Sequence, residues 1–389
     1  MVTEYETEGW FSRIADSIKG IFGGLAIFFL AMPIIFWNEC RAVDRAQDLE
    51  FGLGSVVTAK ADKVDSGNEG KLVHVVGDIK VNETLNDKTF GISANGLALD
   101  RKVEMYQWKQ NVDETSKKKA GGKKVKKKEY SYEQVWSSTL LDSSKYKDAK
   151  YKNSNPGTMP YKSESTNAKN ASLGAYKLTS STMSGLGQSE QLEITKDDLK
   201  GMPANVQKTA KLEDGGVYLG NDPLKPQIGD IRITFSVRKP TTATVIGGQY
   251  GQELKAFTHK KLNDPLVLTT NGSKTPAEMF QDAQDSNTML TWGIRLVTFL
   301  MMFGGLAAVF KPLSVIADLI PFIGSIVGTA TSIIAFLISA PVWLLCVAAA
   351  WIVARPLVGI LLLVGAGLLI GGLVFAAITF NKKRQESPA

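Results

Sequence analysis

The stretch Trp292 to Phe380 constrains this chain most. It is almost entirely apolar and carries four charged residues, Arg295, Lys311, Asp318 and Arg355. No small soluble core absorbs a run of that length. A helix needs about 20 apolar residues to cross a hydrocarbon layer roughly 30 Å thick, so the run holds several spans. A second uncharged apolar run, Gly20 to Trp37, lies near the other end. The residues between the two runs are polar and ordinary. The pattern is that of a water-facing domain of roughly 250 residues tied to a membrane at both ends.

The expected fold is therefore a multi-pass α-helical membrane protein of about four spans, with a large β-rich domain inserted between spans 1 and 2. Residues 1–19 read as an amphipathic segment on the membrane surface, with Trp10, Phe11, Ile14 and Ile18 at helical spacing. Span 1 covers 20–37 and contains Pro33. Its length and the absence of a small-x-small motif after it argue against a cleaved signal peptide. The β-rich domain covers 38–274. Thr275-Pro276-Ala277-Glu278 supplies an N-cap, a proline at the first helical position and a glutamate two residues later. A helix over 275–310 is expected to start there and run on into span 2. Residues 311–325, with Pro312, Asp318 and Pro321, read as a broken interfacial connection. Span 3 covers 326–354, span 4 covers 355–380, and 381–389 form a tail.

Charge near the short flanks sets the expected sidedness. Arg13, Lys19, Lys311, Lys382, Lys383 and Arg384 fall on one side, and Arg355 alone in the opposite short loop. The positive-inside rule then puts both termini in the cytoplasm and the β-rich domain in the lumen or periplasm. Arg41 and Arg45, just past span 1, count the other way.

Within 38–274, short alternating runs are separated by Gly, Asn, Asp and Pro. Ile231–Val237 places Ile231, Ile233, Phe235 and Val237 on one face; Val103–Trp108 alternates in the same way. Lys71–Lys80 is a further strand candidate. Many short strands with such turns predict an antiparallel sandwich or a barrel.

Few residues offer chemistry. The two cysteines, Cys40 and Cys346, exclude a disulfide framework. With two histidines they cannot complete a four-ligand zinc site without carboxylates. No HExxH, phosphate-binding loop or nucleophile elbow occurs, so neither enzyme activity nor a cofactor is expected. His74 lies on a strand between apolar residues and reads as a satisfied, half-buried histidine.

Lys117, Lys118, Lys119, Lys123, Lys124, Lys126, Lys127 and Lys128 cluster around Gly121-Gly122, between two strand candidates. They read as a long hairpin tip. A solvated loop and a surface for anionic lipid both fit. Nucleic acid does not, since no aromatic residue is interleaved. Arg295, Asp318 and Arg355 are candidates for a polar pathway or lipid site, because ionisable groups in a bilayer are costly. Their places near span ends equally suit interfacial anchoring. Small residues at Gly324 and Gly328, and at Gly365, Gly367, Gly371 and Gly372, favour close helix packing, within the chain or between copies.

The whole chain resembles the LUMA, or transmembrane protein 43, family. The matching residues are Asn38-Glu39 with Arg41-Ala42, Asn68 to His74, Val103 to Trp108, and Tyr130-Ser131-Tyr132 with Trp136. Further along are Gly229-Asp230-Ile231-Arg232 with Phe235-Ser236, Thr291-Trp292-Gly293 with Arg295, and Arg355-Pro356-Leu357. The resemblance implies four spans, cytoplasmic termini and a lumenal domain. In eukaryotes it implies the endoplasmic reticulum and inner nuclear membrane; bacterial relatives also exist, in which the inner membrane is implied. It further implies a scaffold that organises envelope complexes, oligomerises and contacts lamin-associated membrane proteins. It supplies no catalytic residues. The contrasting expectation from the residues alone is a channel, transporter or lipid-handling protein that uses the charges of the C-terminal helices.

Overall fold

The computed structural model describes residues 2–354 and 356–385, with side chains described as far as Ile352 and at part of the positions beyond. The chain divides into two compact units. One comprises Met1–Thr3, Asp48–Asp113 and Lys128–Ala283; the other comprises Glu4–Gln47, Glu114–Lys127 and Gln284–Ala389.

The first unit is β-rich. Strand Leu72–Val81 is its centre. It pairs with Thr242–Tyr250 on one side and Ala171–Leu173 on the other. The circuit closes through Tyr176–Leu178 and Glu253–Lys255, which returns to Thr242–Tyr250, so these strands form a closed barrel. Closure removes the unpaired edges that an open sheet would expose. The sequence pattern explains why both central strands are apolar without alternation. Val73 and Val75 join the main core, while Leu72 on the other face joins a second cluster with Ile246, Phe257, Leu266, Leu49, Met279 and Phe280. A strand buried on both faces has no polar side to show. The barrel also differs from a purely antiparallel design: Val57–Ala59 runs parallel to Leu72–Val81, and Tyr176–Leu178 runs parallel to Glu253–Lys255.

A second sheet carries the alternating strands. Ile231–Lys239 buries Ile231, Ile233, Phe235 and Val237 and leaves the residues between them half-buried. It pairs antiparallel with Ala98–Lys118, with Ile233 opposite Val103 and Phe235 opposite Arg101. On the half-buried face, Arg232 bonds Glu104 at 2.8 Å and lies over the Trp136 ring. Arg101 is buried, so its charge must be matched. It pairs with Asp87, bonds Glu164 at 2.9 Å and sits over the Phe90 ring.

The second unit is built on long helices. Helix Trp10–Ser55 contributes its part up to Gln47, and helix Pro276–Ala317 contributes its part from Gln284. Pro321–Ala354 and Pro356–Gln385 follow. Three helices are long and apolar enough to cross a membrane: Trp10–Ser55, Pro276–Ala317 and Pro321–Ile352. In the fourth expected span, helix Pro356–Gln385 contains the apolar stretch Leu363–Gly372 among the described residues.

Three elements differ from the sequence reading. Residues Val2–Glu8 form a strand, and the helix that follows runs without a break from the expected surface segment through span 1 and 18 residues beyond Trp37. Helix Pro276–Ala317 passes through Lys311-Pro312, so the broken connection shrinks to Asp318–Ile320. Proline inside a helix bends it when neighbouring helices and local adjustments satisfy the freed carbonyl, and a bilayer gives the chain reason to keep it helical.

Within this unit the Trp10 helix buries one stripe, Gly24, Phe28, Ala31, Ile35, Asn38 and Ala42. The spacing alternates four and three, which is one face of a packed helix. Phe22, Phe29, Leu30, Phe36 and Trp37 point away from that stripe and stay exposed. An apolar helix with exposed aromatics suits lipid as its solvent. Gly24 faces Gly305 so closely that a Cβ on either would fall 2.5 Å from the other's carbonyl oxygen. The two backbones touch because neither residue has a side chain there.

Candidate functional site: two charged layers in the helical unit

Glu39 is fully buried, two residues past the expected end of span 1. The continuing helix places it opposite Arg295 on the Pro276 helix. Arg295 donates to both carboxylate oxygens, Nε at 2.8 Å and Nη2 at 2.6 Å. The Trp351 indole N–H donates to the same carboxylate. The guanidinium lies 4.7 Å from the Trp292 ring centre and 5.6 Å from that of Trp351. A two-pronged pair flanked by aromatic faces is how a low-dielectric site tolerates an arginine. Arg41, on the same helix as Glu39, donates instead to neutral acceptors: Asn287 Oδ1 and Thr291 Oγ1, each at 3.0 Å, and Asn38 Oδ1 at 3.3 Å.

A second charged layer gathers around Asp318. Its carboxylate pairs with Arg13 and accepts from Lys118 Nζ at 2.6 Å. The Arg13 Nη1 also donates to the Gly122 carbonyl at 2.5 Å, and the Gly121 amide donates to the Leu319 carbonyl at 3.1 Å. The Trp10 indole donates to the Val315 carbonyl at 2.8 Å and fills the space a Gly122 side chain would need. Gly121 and Gly122 both have positive φ, which explains the glycine pair inside the lysine run.

The structure therefore brings Asp318 to the lysine tip and Arg295 to Glu39, and keeps Arg295 and Asp318 in separate layers. Arg355 lies outside the described residues. Lys126 pairs with Glu8 at 2.5 Å, while Lys117, Lys119 and Lys123 are exposed and Lys124 is half-buried. The hydrogen bond and the charge of Lys126 hold the Glu8 carboxyl below its ordinary range. Lys127 and Lys128 also have interaction partners.

The charge count puts the tip around Lys118 and the connection around Asp318 on opposite faces of a bilayer; in the structure Lys118 Nζ donates to Asp318 at 2.6 Å. Such counts weigh only the residues that flank a span and do not register a hairpin whose tip meets those flanks. Arg13, Glu39 and Arg41 were missed as site residues. For Arg13 and Glu39 the signal was present: an acid or base within a turn or two of an apolar run calls for a countercharge, and Asp318 and Arg295 lie near the matching ends of span 2; Arg41 meets neutral acceptors instead.

In the β-rich unit, His74 is buried and its Nε2 meets the Lys274 carbonyl at 2.9 Å, a satisfied histidine as expected. Among the described residues no three His, Cys, Asp or Glu side chains converge as metal ligands.

Comparison with known proteins fits this layout. Residues 105–356 match the model of the family described as Transmembrane protein 43. The chain belongs to the transmembrane protein 43 family. Transmembrane protein 43 of Homo sapiens is 30% identical over 389 residues, covering 97% of this chain and 94% of the human protein. The Mus musculus protein is 30% identical over 376 residues, covering 92% and 90%. The Drosophila melanogaster homolog is 26% identical over 355 residues, covering 88% and 91%. No solved structure matches. The similarity to these relatives spans both units, including the helices that carry Glu39 and Arg295 and the connection that carries Asp318.

Proposed function

We propose that this chain is a non-enzymatic integral membrane scaffold that organises membrane protein complexes. In a eukaryotic cell its place would be the endoplasmic reticulum and inner nuclear membrane, with lamin-associated membrane proteins among its partners; in a bacterium it would be the inner membrane. Its contacts are lipids, other membrane proteins and further copies of itself.

One observation carries the reading. The charges in and beside the apolar helices are committed: Arg295 to Glu39, and Asp318, just past the Pro276 helix, to Arg13 and to Lys118 of the hairpin tip. A conducting path needs polar groups that face a passage and can exchange partners. Groups locked in two-pronged or doubly bonded pairs serve packing instead. The channel or transporter reading thereby loses two of its three candidate residues, and the third, Arg355, lies outside the described residues.

The test uses the full-length chain. Two differently tagged copies are co-expressed and purified in mild detergent, and the purified protein is reconstituted into liposomes for ion-flux measurement. Co-purification of the tags with no flux above empty liposomes is the expected result. Flux that Asp318→Ala or Arg295→Ala alters would overturn the scaffold reading.

A further inference from the structure

Two cavities in the helical unit meet at Trp292 and Arg295, which line both. One, of about 200 Å³, is walled by polar residues of the Pro276 helix, Gln284, Asn287, Thr288 and Thr291, and by Ala42 and Val43 of the Trp10 helix. The other, of about 290 Å³, is apolar, lined by Leu296, Phe299, Ala340, Trp343 and Leu344. Along the Pro276 helix the lining changes from amide and hydroxyl to purely apolar within two turns. That gradient runs in the direction a lipid has, from headgroup to acyl chain.

The charges point the same way. Arg41 spends its hydrogen bonds on Asn287, Thr291 and Asn38, all neutral, and its Nε is buried with no hydrogen-bond partner. Two of those acceptors, Asn287 and Thr291, are walls of the polar cavity. Glu39 neutralises Arg295, so Glu39, Arg41 and Arg295 together leave one positive charge. Asp44, Arg45 and Asp285, nearby in sequence, have interaction partners of their own. A cation held by neutral acceptors at the edge of an apolar block is costly unless an anion completes the site.

We propose that this groove binds one anionic glycerophospholipid, its phosphodiester above Asn287 and Thr291 within the field of Arg41, and one acyl chain in the apolar cavity below Trp292. Arg295, capped by Glu39 and the two tryptophans, forms the divide between headgroup and chain. The inference deepens the lipid contact named above and is independent of self-association. Loss of the lipid site would leave co-purification of tagged copies intact, and the reverse also holds.

The experiment is native mass spectrometry of the full-length protein, delipidated in detergent and then offered dioleoylphosphatidylglycerol, dioleoylphosphatidylcholine or inorganic phosphate. The protein should retain one phosphatidylglycerol about tenfold better than phosphatidylcholine, the equivalent of one charge contact. Arg41→Gln, at the headgroup end, and Ala340→Trp, which fills the apolar cavity, should each reduce retention by about the same factor. Ala340→Trp leaves every hydrogen bond of Arg41 in place, so it keeps the test valid if Arg41→Gln fails to fold. Inorganic phosphate should not displace the lipid. Equal retention of the two lipids, undiminished retention in Ala340→Trp, or displacement by phosphate alone would each overturn the proposal.

Discussion

Arg13 and Asp318 are 305 residues apart in sequence and form a nearly dry ion pair, with side chains 9% and 1% exposed. Glu39 and Arg295 form a second pair, 256 residues apart. Arg13 and Glu39 share one helix and are separated by 26 residues, which is about 39 Å of helix rise. From Arg295 to the end of the Pro276 helix at Ala317, next to Asp318, is 22 residues, about 33 Å of helix rise. Both spacings slightly exceed the roughly 30 Å hydrocarbon core. Each pair thus joins the same two helices at one end of an apolar block of bilayer thickness.

Removing one partner from the buried pair should therefore cost more than removing both. Asp318→Asn strands Arg13 and Lys118 beside each other without a countercharge. A loss of about 3–5 kcal/mol is expected, as for other broken buried pairs. Arg13→Gln in the same chain should recover part of that loss. Thermal unfolding of the two single variants and the double variant in detergent measures the coupling. Strict additivity would mean that the two residues are not joined.

The contact between Gly24 and Gly305 makes a second prediction. A Cβ at either position would sit 2.5 Å from the facing carbonyl oxygen, so the backbones must part. Gly305→Val should destabilise the helical unit by about 1–3 kcal/mol, the usual cost of overpacking. Gly293→Val on the same helix, where nothing stands within 4 Å, is the control. Equal melting temperatures for the two variants would refute the close contact.

Much of this was legible in the sequence, for physical reasons. The apolar runs announce themselves through length alone, and Ile231–Val237 announces its inward face through period two. The Thr275 cap is local chemistry: the Thr275 amide donates to Glu278 at 2.7 Å and the Glu278 amide donates to Thr275 Oγ1 at 3.3 Å. What was not legible depends on partners far along the chain. Closure of the barrel needs Leu72–Val81 to meet Thr242–Tyr250, and nothing in either run states that. The facing of Gly24 and Gly305 is equally silent, because glycine is frequent in membrane helices whether or not it marks a contact. Helix ends were misread where proline or polar residues looked like stops. Asn38, Glu39 and Arg41 instead continue the Trp10 helix because Thr291, Arg295 and Asn287 receive them.

Sidedness gives a third prediction. The lysine tip cannot enter hydrocarbon, and Lys118 bonds Asp318 while Lys126 bonds Glu8. The tip, the connection after Ala317 and the N-terminal strand are then expected in one aqueous layer. Glu6→Cys and Lys123→Cys, each in a chain with Cys40 and Cys346 replaced by serine, should react with an impermeant maleimide from the same side of sealed vesicles. Labelling from opposite sides would show that the hairpin does not reach Asp318 in the membrane.

The cap at Thr275 sets the last prediction, in acid. Backbone and side-chain hydrogen bonds from Thr275 hold the Glu278 carboxyl below its ordinary value of 4.5. A carboxyl whose folded value is depressed stabilises the fold above its unfolded value, and that contribution is lost as pH falls through the folded one. The wild-type chain should therefore be more stable than Glu278→Gln at neutral pH. The gap should close as pH falls below 4.5. Thr275→Ala, which removes the cap itself, should cost about 1 kcal/mol at neutral pH. Unfolding curves of the three proteins from neutral to acid pH check this. A gap between wild type and Glu278→Gln that persists undiminished in acid would mean that the carboxylate does not serve the cap.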